Sequence, residues 1–193
     1  MDVQGHMSSG YPVAAAAKPT LESVYREHAP SVARWAQRLG GPSVDAEDVV
    51  HEVFLVVHGQ LHGFRGDAKL STWLYRITEN VVRHRRRRDR FRRWLGGSSE
   101  EVGGRVASSR PTPVEDLERR EAESLVYRAL DRLPEKQRTL IILFEIEGCS
   151  GEEIAERTGT KVNAVWVALH RARARFLGAL EKLDPNRRRG EVE

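Results

Sequence analysis

Between Phe64 and Arg93 the chain reads F-R-G-D-A-K-L-S-T-W-L-Y-R-I-T-E-N-V-V-R-H-R-R-R-R-D-R-F-R-R, and no other stretch limits its fold as much. A short glycine-bearing loop, residues 63–71, opens it. Trp73, Leu74, Ile77 and Val81 then recur at helical spacing and predict a core-facing stripe. Arg76, Asn80, Arg83 and Arg87 fall at i, i+4, i+7 and i+11, which gathers them on another face of the same long helix. From Arg83 to Arg93 there are eight arginines against one acid, Asp89. Such a run cannot neutralise itself. It is either a solvated helix end whose cations suit the C-terminal dipole or a surface for a polyanion. Phe64, Trp73 and Asn80 directly upstream favour the polyanion, because aromatic rings beside a cationic groove suit stacking on unpaired bases.

The charge is unevenly spread along the 193 residues, a length that allows one ordinary domain or two small ones. Residues 21–95 hold 14 Lys/Arg against 9 Asp/Glu, whereas residues 115–184 hold 12 against 14. The first half is therefore the stronger candidate for a polyanion. Cys149 stands alone, which excludes an intramolecular disulfide and a cysteine-based zinc site. It reads as a small packed residue, since a redox role needs an exposed thiol of low pKa. No apolar run reaches the length of a membrane span, and Ala14 to Ala17 is too short for a signal-peptide core. A soluble, intracellular chain without membrane insertion is expected. His58 and His62 are i, i+4, with His51 nearby, but no further ligand completes a metal site. With no phosphate-cradling loop or nucleophile elbow either, no enzyme, metal or cofactor is expected.

The rest of the chain reads as helices. Residues 1–19 form an expected disordered lead. Leu21, Val24, Tyr25, His28, Val32, Trp35, Ala36 and Leu39 trace one helical face that Gly40-Gly41-Pro42 ends. Val49, Val50, Val53, Phe54, Val56 and Val57 are rich in β-branched residues, so a strand rivals a helix there. Ser43 or Asp45 as cap, and the acids Asp45, Asp48 and Glu52 clustered on one side, decide for helix. Residues 96–116 carry glycine, serine and proline with almost nothing apolar and predict a flexible linker. A second helical unit is expected from near Leu117, with Ala122, Leu125, Val126, Ala129, Leu130 and Leu133 on one face. Pro134 fits the start of a further helix that Gly148 stops. Ser150 and Glu153 then form a capping box, Gly159 supplies a turn, and a longer basic helix runs from about Val162 to Leu183. Short helix, glycine turn and basic helix outline a helix-turn-helix. The chain is thus all-α: an N-terminal helical bundle (20–95), a linker (96–116), a C-terminal helix-turn-helix domain (117–183) and a loose tail (184–193).

These residues carry a family resemblance. D-A-E-D-V-V-H-E-V-F-L (45–55), F-R-G-D (64–67), T-W-L-Y-R-I-T-E-N (72–80), L-P-E-K-Q-R (133–138), E-E-I-A-E (152–156) and H-R-A-R (170–173) resemble bacterial sigma factors of the extracytoplasmic-function group. Six motifs in family order span about residues 20–182. The resemblance implies a specificity subunit of core RNA polymerase that is held by the clamp helices and the flap, acts on promoter DNA in the cytoplasm, and is controlled by an anti-sigma factor. Polymerase binding would fall to Asp45, Glu47, Asp48, His51, Glu52 and Phe54, with Phe54 alternatively core. His51 stands where the family usually has glutamine.

The first domain would recognise and melt the minus-10 element through Phe64, Arg65, Trp73, Arg76, Asn80, Arg83, Arg86 and Arg87. A base flipped into the 63–71 loop needs a π-face and an amide for its edge. Trp73 lies on the apolar stripe and is alternatively core. Minus-35 recognition would fall to Lys161, Asn163, Trp166, Val167, His170, Arg171 and Arg173. There the chain departs from the family: Trp166, Val167 and Ala168 replace polar base-reading residues. They would read thymine methyls, or Trp166 serves a protein partner and this domain binds DNA weakly. An autonomous helix-turn-helix regulator is the competing reading of the whole chain.

Overall fold

The computed structural model describes residues 19–96 and 113–185, all of them helix or short connection, with no strand among the described residues. The expected lead, nearly all of the linker and most of the tail lie outside them. Helix α1 (Leu21–Gly40) opens on a capping box between Thr20 and Ser23 and closes at Gly41, whose φ of +76° suits glycine alone. Asp45 accepts from the backbone N–H groups of Glu47 (2.8 Å) and Asp48 (3.2 Å), and α2 (Ala46–Gln60) follows. That cap settles the helix-or-strand rivalry of the valine-rich stretch, because it satisfies donors only a helix leaves free. A 3₁₀ turn (Leu61–Gly63) leads through the loop to α3 (Leu70–Trp94), the longest helix. Helices α1, α2 and α3 pack on one another around Val32, Trp35, Val53, Val57, Leu74, Tyr75 and Val82.

The second unit starts earlier than the sequence suggests. Helix α4 spans Pro113–Leu130, so its first turn takes residues 113–116 from the stretch read as linker. Pro113 sits where a helix needs no N–H from it and where its fixed φ is already helical. Helix α5 (Glu135–Ile141) runs into a π-helical turn (Ile142–Ile146), which Gly148 at φ +69° terminates. Helix α6 (Gly151–Thr158) carries the expected Ser150–Glu153 capping box. Gly159 turns the chain at φ +68°, and α7 (Val162–Leu183) completes the helix-turn-helix. Its inner face is Val165, Leu169, Ala172, Ala179 and Leu180.

The two units are docked, and their apolar cores run into one another. Helix α3 lies against α6, and α1 against the π-helical turn. Arg138 of α5 is fully buried and donates to the carbonyl of Leu39 at the end of α1 (2.6 Å), while Tyr127 Oη donates to the carbonyl of Arg38 (3.1 Å).

Candidate nucleic-acid interface

Helix α3 builds the first site. Phe64 on the loop and Trp73 in the first turn of α3 face each other as tilted rings 5.2 Å apart, both half-buried. Trp73 therefore does both things the sequence allowed: one side packs against the core and the other borders the loop. Asn80 is exposed two turns further along, and the Arg83 guanidinium donates to its side-chain oxygen. Arg65, Arg83 and Arg87 are exposed as well. From Trp73 through Asn80 to Arg87 the helix presents a ring, an amide and guanidinium groups in line over about 20 Å of axis.

Two of the expected arginines are engaged elsewhere. Arg86 is buried and pairs with Asp131 (2.8 Å), with Glu135 at 3.7 Å. Arg76 donates to the carbonyl oxygens of Glu156 and Arg157 at the end of α6, each at 3.0 Å. The far end of α3 carries a group the sequence reading passed over. Phe91, Trp94 and Leu95 are all exposed, with the Phe91 and Trp94 rings 5.9 Å apart beside Arg90 and Arg93. Their signal was the spacing 83, 87, 90, 94, which continues the arginine face into an aromatic one.

Helix α2 divides the expected polymerase-binding residues. Glu47 and His51 are exposed on one stripe, and Leu55, one turn further and 59 % exposed, extends it. Leu55 and the exposed Tyr25 beside it are the apolar part of this surface that the sequence reading did not single out. Asp45 caps the helix. Asp48 and Glu52 pair with Arg85 at 3.2 and 2.8 Å, so α3 partly neutralises them. Phe54 is buried and meets Tyr25 edge-on at 4.7 Å, which makes it core.

On α7, Lys161, Asn163, Trp166, Val167, His170 and Arg171 are exposed along the outer face. Trp166 leans back: its ring meets Phe144 edge-on at 5.5 Å and lies over Gly151, where an added Cβ would come within 2.7 Å of it. Arg173 stands over the Phe144 ring (4.8 Å) and pairs with Glu145 (2.6 Å). Trp166 and Arg173 thus clamp Phe144 between them, and 44 % of Trp166 remains accessible. Cys149 is buried, and burial raises its thiol above the ordinary value, which suits a packed residue.

Comparison with known proteins fits this two-part layout. Residues 24–92 match the family described as Sigma-70 region 2, and residues 123–176 match Sigma-70, region 4. The ECF RNA polymerase sigma factor SigE of Mycolicibacterium smegmatis is 34% identical over 168 residues, 86% of this chain and 64% of that protein. The RNA polymerase sigma factor CnrH of Cupriavidus metallidurans is 32% identical over 158 residues, 80% of this chain and 83% of its own length. The chain belongs to the sigma-70 family, in its extracytoplasmic-function group. Among solved structures, CnrH in complex with the cytosolic domain of CnrY is similar at a TM-score of 0.54 and 26% identity, covering 84% of this chain and 88% of that one. Region 2 accordingly corresponds to α1–α3 and region 4 to the helices from α4 onward. No described helix is long and apolar enough to cross a membrane.

Proposed function

We propose that this sigma factor directs core RNA polymerase to a particular promoter set, with region 2 opening the minus-10 element and region 4 holding the minus-35 element as duplex. The observation that carries the reading is the stripe on α3. An aromatic pair sits at its start, Asn80 at its middle, and Arg83 and Arg87 beyond. A plain duplex-binding repressor has no use for a ring and an amide positioned to take an extruded base. The exposed Glu47–His51–Leu55 stripe, with Tyr25, supports a polymerase contact in which acids flank an apolar centre. On α7, Asn163, Val167, His170 and Arg171 are the base-facing candidates, with Trp166 as a wall of the helix-turn-helix whose free edge reaches the groove. Control by an anti-sigma factor belongs to the same reading, since the related CnrH is bound by a partner polypeptide. The protein acts where polymerase and chromosome are, and catalysis is left to the polymerase.

Genomic fragments retained by core polymerase plus this chain supply promoter probes, and permanganate reactivity of thymines reports strand opening. Opening that needs both proteins and is lost in Asn80→Ala is the expected result. Tight sequence-specific binding by the chain alone, with no opening in either case, would overturn the reading in favour of an autonomous regulator.

A further inference from the structure

The residues that would meet promoter phosphates are already holding region 4. Ala155 O at the end of α6 accepts from Gly159 and Thr160, but the carbonyls of Glu156 and Arg157 take their hydrogen bonds from Arg76. Unsatisfied carbonyls at a helix C-terminus carry partial negative charge. The Glu156 carboxylate sits beside them and accepts from Lys69 Nζ (2.9 Å) and Thr72 Oγ1 (3.0 Å). One carboxylate and two carbonyls, held by a lysine, a hydroxyl and a guanidinium, form a cluster of the same electrostatic class as a pair of backbone phosphates. A second cluster repeats the pattern two to three turns along α3, where Arg86 and Arg90 meet Asp131 and Glu135. On the opposite side Glu147 pairs with Arg34 (3.4 Å) and Arg38 (3.0 Å).

We infer that region 4 is docked on region 2 as a stand-in for nucleic acid, with Glu156 and the α6 carbonyls occupying the phosphate positions of the α3 face. The inference rests on the promoter reading above. Docked and promoter-bound forms exclude each other on distance alone. Elements about 25 base pairs apart are separated by roughly 85 Å of duplex at ~3.4 Å per pair. Yet α3 and α6 touch, and all of α7 is only about 33 Å long at ~1.5 Å per residue. The 16 residues from 97 to 112 reach about 55 Å when fully extended, enough to let the units part. The docking is built to release. Arg138, its buried centre, has Nε and Nη2 without a hydrogen-bond partner, and burial with Arg86 nearby lowers its pKa to about 10. A buried, incompletely paired cation weakens the contact it sits in.

The test uses the full chain, a fluorescent single-stranded DNA of random sequence about 20 nucleotides long, and small-angle scattering. The double variant Asp131→Asn/Glu156→Gln removes two carboxylate charges and alters no residue assigned to DNA or polymerase. Glu147→Gln loosens the opposite side independently. Wild type is expected to scatter as the docked form. Both variants should expand and bind the probe on the order of ten-fold more tightly, because apparent affinity scales with the open fraction. The gain should vanish when Arg83→Ala is added. Variants that neither expand nor gain affinity overturn the docking inference; the promoter reading then stands if wild type already binds the probe through Arg83. Variants that expand without any Arg83-dependent gain overturn the nucleic-acid assignment of α3, and the inference falls with it.

Discussion

At the residue scale, Glu79 shows how one side chain ties region 2 to region 4. It accepts from Thr139 Oγ1 at 3.2 Å, and burial raises its carboxyl above the ordinary range, an effect the hydrogen bond from Thr139 partly offsets. An acid whose folded pKa is raised binds its proton more tightly in the folded state. The folded form is then most stable below the unfolded pKa and loses stability as pH rises through the folded pKa. Urea melts across the carboxylate range should show that decline in wild type, and Glu79→Gln should flatten it while keeping the Thr139 partner. The sequence offered no hint of this, since burial of Glu79 depends on α5 arriving from the other unit. Trp166 is similar. Its place in the recognition helix was legible, but its lean over Gly151 and Phe144 depends on the π-helical turn that aims Phe144 at it. For Phe54 the sequence left core or contact open, and packing against Tyr25 chose core.

At the element scale, caps made the helices readable. The Ser150–Glu153 box and Gly159 placed the helix-turn-helix from local chemistry, because each satisfies backbone groups that only a helix end exposes. Asp45 is instructive because two roles converge on it. As the N-cap of α2 it holds two backbone donors, so Asp45→Ala should lower stability by about 1 kcal/mol, whereas Asp45→Asn, also a good cap, should be nearly neutral. Affinity for core polymerase separates the roles: if Asn keeps stability but loses affinity, the charge itself meets the polymerase. The start of α4 was missed. Residues 113–116 share the proline-rich composition of the stretch before them, and composition alone did not mark where the helix began.

At the scale of the whole molecule, the docked units make salt act in two opposite ways. Salt screens the ion pairs that hold region 4 down, and it also weakens phosphate binding on α3. Wild type should therefore show a shallower log–log salt dependence for the single-stranded probe than Asp131→Asn/Glu156→Gln. The difference should be about 0.7 in slope for each cation that leaves a carboxylate for a phosphate. Fluorescence titration of the probe between low and moderate salt measures it, and equal slopes would remove the competition. What the sequence determined by itself was everything periodic or local: seven helices, their caps, the arginine face of α3, the helix-turn-helix and the two-part layout. These depend on residues a few positions apart. Which arginines on that face are free, and which already hold the second unit, was decided only by the tertiary structure. Arg76 and Arg83 look alike in sequence, one and two turns either side of Asn80. They differ because α6, some eighty residues later, ends its carbonyls against one of them and not the other.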